Sequence, residues 1–409
     1  MNNQKSVKLF LTIATISINF TACGSGGGST SSSVATTSSN METNISLIHE
    51  EPIIEQNTSV EENNTIEEPI TEDNITQEIN TTQEINATVE INRFQAFKTG
   101  QTKSYDASGN EVLDGTLKDD GFYQKGADRL FRRDHEKEIV LNENSGLQWQ
   151  DDEEVTMVSK PWLNSSSIAL CSGDSSSCFD TSGDTASKYC QELSLAGFDD
   201  WRLPTRDELI SLVNYGKVSP STDSIFYNKN SEKYWSSTTF PEAKEYAWST
   251  NFFKGTSTIM GKGVDSNYIR CVRGEELNSS KVFIKNSATG IIKDIKTTLE
   301  WQDEDKVSRI ARTWEEGIEY CEGLNLDGGG WRLPNINELN TIVDNNSSNP
   351  SIYHVFKYIN LSTDEMFYWS STTYARFKKD ALGVSFKSGS ILNYNKGNYF
   401  FVRCVRDIQ

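Results

Sequence analysis

"WRLPTRDEL" occupies residues 201–209 and "WRLPNINEL" residues 331–339. The phrase spells out no metal-ligand or nucleophile pattern, and its physical reading is architectural. Thr205 followed three residues later by Glu208 makes a capping box, predicting a helix that buries Leu209, Leu212 and Val213. Asn335 and Glu338 take the same roles in the second phrase, with Leu339, Ile342 and Val343 on the apolar face. Pro204 and Pro334 stiffen the entry. Each Trp-Arg pair is expected to pack its ring under the helix entry, with Arg202 or Arg332 bonding nearby carbonyls or a carboxylate.

Four further blocks repeat around the phrase in the same order. "GLQWQDD" (146–152), "YCQEL" (189–193), "YWSSTTF" (234–240) and "YIRCVRG" (268–274) are answered by "TLEWQDE" (298–304), "YCEGL" (320–324), "YWSSTTY" (368–374) and "FVRCVRD" (401–407). Five ordered blocks make two copies of one domain, expected over 93–274 and 281–409 with a linker at 275–280. Thr313 and Glu316 form another capping box, predicting an earlier helix, and the later half of each copy reads as strands. Two helices followed by a strand-rich half predict an α+β class.

The cysteines follow the repeat. Cys190 and Cys321 are equivalent, as are Cys271 and Cys404, which predicts the bridges Cys190–Cys271 and Cys321–Cys404. Copy one carries a 21-residue excess between Trp149 and Cys190, by comparison with Trp301 to Cys321, and it contains Cys171 and Cys178. A local third bridge is expected there. Zinc is a poor alternative, because the long pairs lack C-x-x-C spacing and the chain has three histidines.

Cys23 remains. It follows two lysines and a mostly apolar run, Leu9 to Ala22, the plan of an export signal. As a helix those 14 residues cover ~21 Å, short of a ~30 Å hydrocarbon core. The run resembles a bacterial lipoprotein signal over residues 1–22, with Cys23 lipidated. The expectation is an exported protein, lipid-anchored at the bacterial outer membrane or cell surface. Residues 23–92 read as a disordered acidic stalk, with 13 acidic residues before Arg93 and only Lys5 and Lys8 basic. Within it Asn44, Asn57, Asn63, Asn74, Asn80 and Asn86 match an acid-x-Asn-x-Ser/Thr sequon, and are candidate glycosylation sites. The net charge of −19 excludes nucleic acid as the expected partner.

The five blocks together resemble the Lcl C-terminal domain family, and "TGQTKSYDASGNE" at 99–111 resembles the opening of its first unit. The resemblance covers roughly 93–409. It implies two tandem C-type-lectin-like domains, each with two helices and a twisted antiparallel sheet stapled by disulfides. It also implies a non-catalytic adhesion or recognition module, since the founding adhesin's domain binds sulfated glycosaminoglycans. The expected partner is an extracellular glycan, or an envelope or host surface protein. The alternative is a structural or assembly lipoprotein binding another envelope protein. A formylglycine-generating-enzyme-like oxidase needs a reactive thiol, and the pairing leaves none in the domains.

Charge gives the candidate ligand face. Residues 376–406 hold seven cations against Asp380. Arg403 and Arg406 have counterparts in Arg270 and Arg273 and read as structural, leaving Arg376, Lys378, Lys379, Lys387 and Lys396 as candidate polyanion ligands. Asp174, Asp180 and Asp184 on the insertion are a weak calcium candidate. No cofactor is expected.

Overall fold

The protein is described from a computed structural model covering residues 96–173, 175–227, 232–263, 266–277, 281–362 and 366–408. The expected signal, Cys23, the stalk, its six asparagines and Asp174 lie outside the described residues. An N-terminal arm, residues 96–127, forms a small hairpin of β1 (Ser104–Tyr105) and β2 (Glu111–Val112), then one turn of helix, α1 (Asp120–Tyr123).

Copy one opens with a meander of β3 (Phe131–Asp134), β4 (Ile139–Asn142) and β5 (Gln148–Gln150), then β6 (Ser159–Pro161). Two short helices follow, α2 (Ala186–Glu192) and α3 (Arg206–Ser211). The strands β7 (Lys233–Thr239), β8 (Tyr246–Asn251), β9 (Thr256–Gly261), β10 (Ser266–Tyr268) and β11 (Val272–Arg273) complete it. Copy two repeats the plan with β12 (Phe283–Asn286), β13 (Ile291–Asp294) and β14 (Leu299–Gln302). It continues through α4 (Lys306–Arg309), α5 (Trp314–Glu322), α6 (Ile336–Asn340), β15 (Phe367–Thr373), β16 (Asp380–Ser385), β17 (Ser390–Asn395) and β18 (Val405–Asp407). The α+β class holds, with strands dominating and, among the described residues, no helix longer than the nine residues of α5. In each copy the last strand returns beside the third, β11 on β5 and β18 on β14, both antiparallel.

The repeated phrase works as its residues suggest, with one economy that charge counting misses. Thr205 accepts from Glu208 N, and the Glu208 carboxylate accepts from Thr205 N at 2.8 Å. The same carboxylate receives both Arg202 guanidinium nitrogens, at 2.7 and 2.8 Å. Arg332 and Glu338 repeat the fork at 2.6 Å, with both side chains nearly inaccessible. One glutamate therefore caps the helix and neutralises the arginine two residues before the proline, which is why the letters W-R-L-P and E-L travel together.

Packing joins the copies where the sequence suggested separate tandem modules. β17 pairs antiparallel with β9, making one eight-stranded sheet in the order β15-β16-β17-β9-β8-β7-β10-β6. The paired residues, Ser257 and Ile391, are equivalent positions, each two residues past a positive-φ glycine (Gly255, Gly389). Antiparallel pairing at equivalent residues is the signature of a local pseudo-twofold, so the chain folds as its own homodimer would. The largest apolar cluster draws from both copies, with Leu209, Leu212 and Val213 of copy one packed in the same core as Leu339, Ile342 and Val343 of copy two. Two smaller clusters are private: Trp162, Trp201 and Trp235 in copy one, Trp314, Trp331 and Trp369 in copy two, each with its disulfide. At the seam Arg206, fully buried, donates to Gly389 O and Asn345 Oδ1 at 2.5 and 2.9 Å and stacks 4.4 Å from the Trp248 ring. The described residues, from 96 to 408, belong to one compact unit.

The disulfides among the described residues are Cys190–Cys271 and Cys321–Cys404, as the copy equivalence requires, and Cys171–Cys178 within the insertion, as expected. The segment 99–111 departs from its expected place. It does not open copy one; it docks on copy two. Gln101 exchanges two hydrogen bonds with the backbone of Thr373, and Tyr123 Oη donates to Glu322 at 2.8 Å.

A candidate recognition surface

The connection between β15 and β16 carries Arg376, Phe377, Lys378 and Lys379. Arg376 lies 4.3 Å from the Phe253 ring, which belongs to the β8–β9 turn of copy one and precedes the exposed Lys254. Lys378 Nζ lies 4.5 Å from the Tyr105 ring of the arm, and burial with the nearby Lys103 pushes its ammonium pKa down. Phe377 is 55% exposed. Three chain segments thus meet in one patch of cations interleaved with rings. None of Lys254, Arg376, Lys378 and Lys379 is ion-paired among the described residues.

Two of the five sequence candidates do not belong to this patch. Lys396 has no accessible surface; its Nζ donates to Tyr105 O at 2.5 Å and Thr373 Oγ1 at 2.8 Å, 3.8 Å from the Trp314 ring centroid. Burial pushes its pKa down to about 7. It is a packing residue, and counting charge along the chain hid that. Lys387 is exposed but sits in the β16–β17 turn, at the far end of β16, ~20 Å along the strand from Lys379.

The arm that carries Tyr105 and Lys103 is held by a buried acid. Asp120 Oδ2 accepts from Thr99 Oγ1 at 2.6 Å and Thr372 Oγ1 at 2.8 Å, while Oδ1 has no partner. Burial, with repulsion from Asp119 and Glu338, pushes its pKa up to about 7. A carboxyl whose folded pKa is raised from 3.8 stabilises the fold fully below about pH 4, and that contribution is lost as pH rises to about 7. The expected result is that hydrogen exchange in the arm quickens with pH beyond its intrinsic rate, by up to ~tenfold per pH unit across that window. Asp120→Asn should flatten the profile, and a wild-type profile already flat would contradict the assignment.

The remaining candidates have duties within the fold. Asp180 accepts from Ser167 and from the Ser182 hydroxyl and amide, and Asp184 pairs with Lys160 at 2.6 Å, so both carboxylates have partners within the insertion and its neighbouring strand. Arg270 bonds Asp151 and Arg403 bonds Asp303, at 2.6 and 2.8 Å, with all four side chains almost wholly buried. Arg273 and Arg406 hold Asp200 and Glu300. All six cysteines of the described residues are oxidised, so they offer no thiolate.

Phe253, Tyr105 and Lys103 were missed by the sequence reading. Phe253 lies in copy one and the other two in the arm, so only the fold brings Phe253 beside Arg376, and Tyr105 and Lys103 beside Lys378. No curated protein matches the chain. The family model of the Lcl C-terminal domain matches residues 138–273 and again 290–406, so the arm lies outside both matches. The chain belongs to the Lcl C-terminal domain family and contains that domain twice.

Proposed function

We propose that this protein is an exported recognition lipoprotein, without catalytic activity, that displays a pair of C-type-lectin-like domains and binds polyanionic glycans through the patch around Arg376, Lys378 and Lys379. The observation that carries this reading is the interleaving of unpaired cations with the Phe253, Phe377 and Tyr105 rings. Sulfates or carboxylates would engage the cations while sugar faces lie on the rings. Single exposed contacts of this kind contribute little and are screened over ~8 Å at physiological salt, so affinity comes from their number. The disulfides suit an oxidising compartment outside the cytoplasm.

The test is retention on a heparin column at low salt. Changing Arg376, Lys378 and Lys379 together to Ser should abolish retention with the far-UV spectrum unchanged. Lys387→Ser should elute as wild type, and a calcium chelator should make no difference. Equal retention of the triple variant would mean that the patch is a solvated surface, and would favour a protein partner in the envelope.

A further inference from the structure

Two equivalent lysines, one in each copy, are buried in the same way. Lys262, in "GKG" after β9, matches Lys396, in "NKG" after β17, and neither has accessible surface. Each Nζ lies 3.8 Å from the centroid of an equivalent indole, Trp162 or Trp314. Each indole donates its Nε1 hydrogen to an equivalent carbonyl, Ser236 O or Ser370 O, at 2.8 Å. Each ammonium donates at 2.8 Å to an equivalent hydroxyl, Thr239 Oγ1 or Thr373 Oγ1.

What the lysines hold differs. Lys262 donates at 2.8 Å to Cys178 O, in the disulfide-closed insertion that copy two lacks. Copy two fills the same position with the N-terminal arm. Lys396 donates to Tyr105 O at 2.5 Å and, more distantly at 3.4 Å, to Asp106 O. Two unrelated segments with no common sequence therefore satisfy one conserved geometry: a backbone carbonyl brought to an ammonium over an indole. An ammonium buried beside an indole would be costly without such an oxygen, and backbone carbonyls supply it whatever the side chains.

We propose that this domain carries a segment-docking site, built by Lys262, Trp162 and Thr239 in copy one and by Lys396, Trp314 and Thr373 in copy two, whose ligand is a polypeptide turn presenting backbone carbonyls. Copy one is occupied by its own insertion. Copy two takes the arm, whose two ends meet in the isolated bridge Phe97↔Ala127 and whose Thr99 O accepts from Tyr215 N of copy one at 2.7 Å. The arm is thus a docked ligand of copy two that straps both copies together. Glu315, accepting from Ala107 N at 2.7 Å, and Tyr123, donating to Glu322, are its peripheral fastenings.

Hydrogen exchange on the full chain tests this. Lys396→Met should quicken exchange in 99–123 by ~tenfold or more while 164–182 stays protected, and Lys262→Met should do the reverse. Glu315→Ala with Tyr123→Phe leaves the buried lysine intact and should quicken the arm alone, to a smaller extent, which decides the matter if a lysine variant fails to fold. The proposal is overturned if each lysine variant loosens the core strands β7–β9 or β15–β17 as much as the segment. It is equally overturned if the peripheral double variant leaves 99–123 as protected as in wild type.

Discussion

Arg403→Met is expected to destabilise the protein by roughly 3–5 kcal/mol, because it strands a buried carboxylate. Asp303 has no exposed side-chain surface and receives Arg403 Nη1 at 2.8 Å, while the same guanidinium donates to the carbonyls of Gln302 and Tyr358. Burial alone would raise the Asp303 pKa, but Arg403, Lys285 and backbone amides outweigh it and hold the carboxyl below its usual range. Lys285, at 2.6 Å, remains after the substitution and should keep the loss toward the lower figure. Copy one offers an internal control: Arg270→Met strands Asp151, which keeps Arg133 at 2.7 Å. Denaturant unfolding should give similar losses for the two variants. A loss under ~1 kcal/mol in either would mean that relaxation or water compensates the charge.

Removing the Cys321–Cys404 bridge by a double change to Ala should cost ~4 kcal/mol in the chain-entropy relation, since the bridge spans 83 residues. The Cys190–Cys271 bridge spans 81 and should cost the same. Cys171–Cys178 spans only 7 and should cost ~2 kcal/mol. The ranking is the informative part. Equal losses for all three would point to packing of the sulfurs, rather than chain entropy, as the source of their stabilisation.

Much of the fold could be read from comparing the chain with itself. Copy equivalence found the long disulfides, and the capping boxes at Thr205, Asn335 and Thr313 all form as written. Equivalence also set aside Arg403 and Arg406 as structural, because Arg270 and Arg273 match them. The same comparison applied to "GKG" and "NKG" would have removed Lys396 from the ligand set, since a residue repeated in both copies is more often needed by the fold. What no repeat can reveal is the asymmetry. The arm is written before copy one but docks on copy two, and Arg206, at the seam, has Ile336 as its counterpart. Those contacts join residues more than a hundred positions apart, such as Arg206 with Asn345, and no local period or spacing records them.

The seam also decides how the patch proposed for binding should behave. Arg376 reaches Phe253 only because β9 and β17 share a sheet, and Lys378 reaches Tyr105 only because the arm crosses to copy two. Losing the junction would therefore scatter the patch without altering any residue in it.

The union of the copies is the central claim, and calorimetry of the full chain tests it directly. One core cluster draws on both copies and one sheet runs through both, so a single cooperative transition is expected, with calorimetric and van't Hoff enthalpies in agreement. The Cys321→Ala, Cys404→Ala double variant should lower that one transition as a whole. Two resolved transitions, with only the copy-two transition moving in the variant, would show that the copies are independent modules and contradict the account.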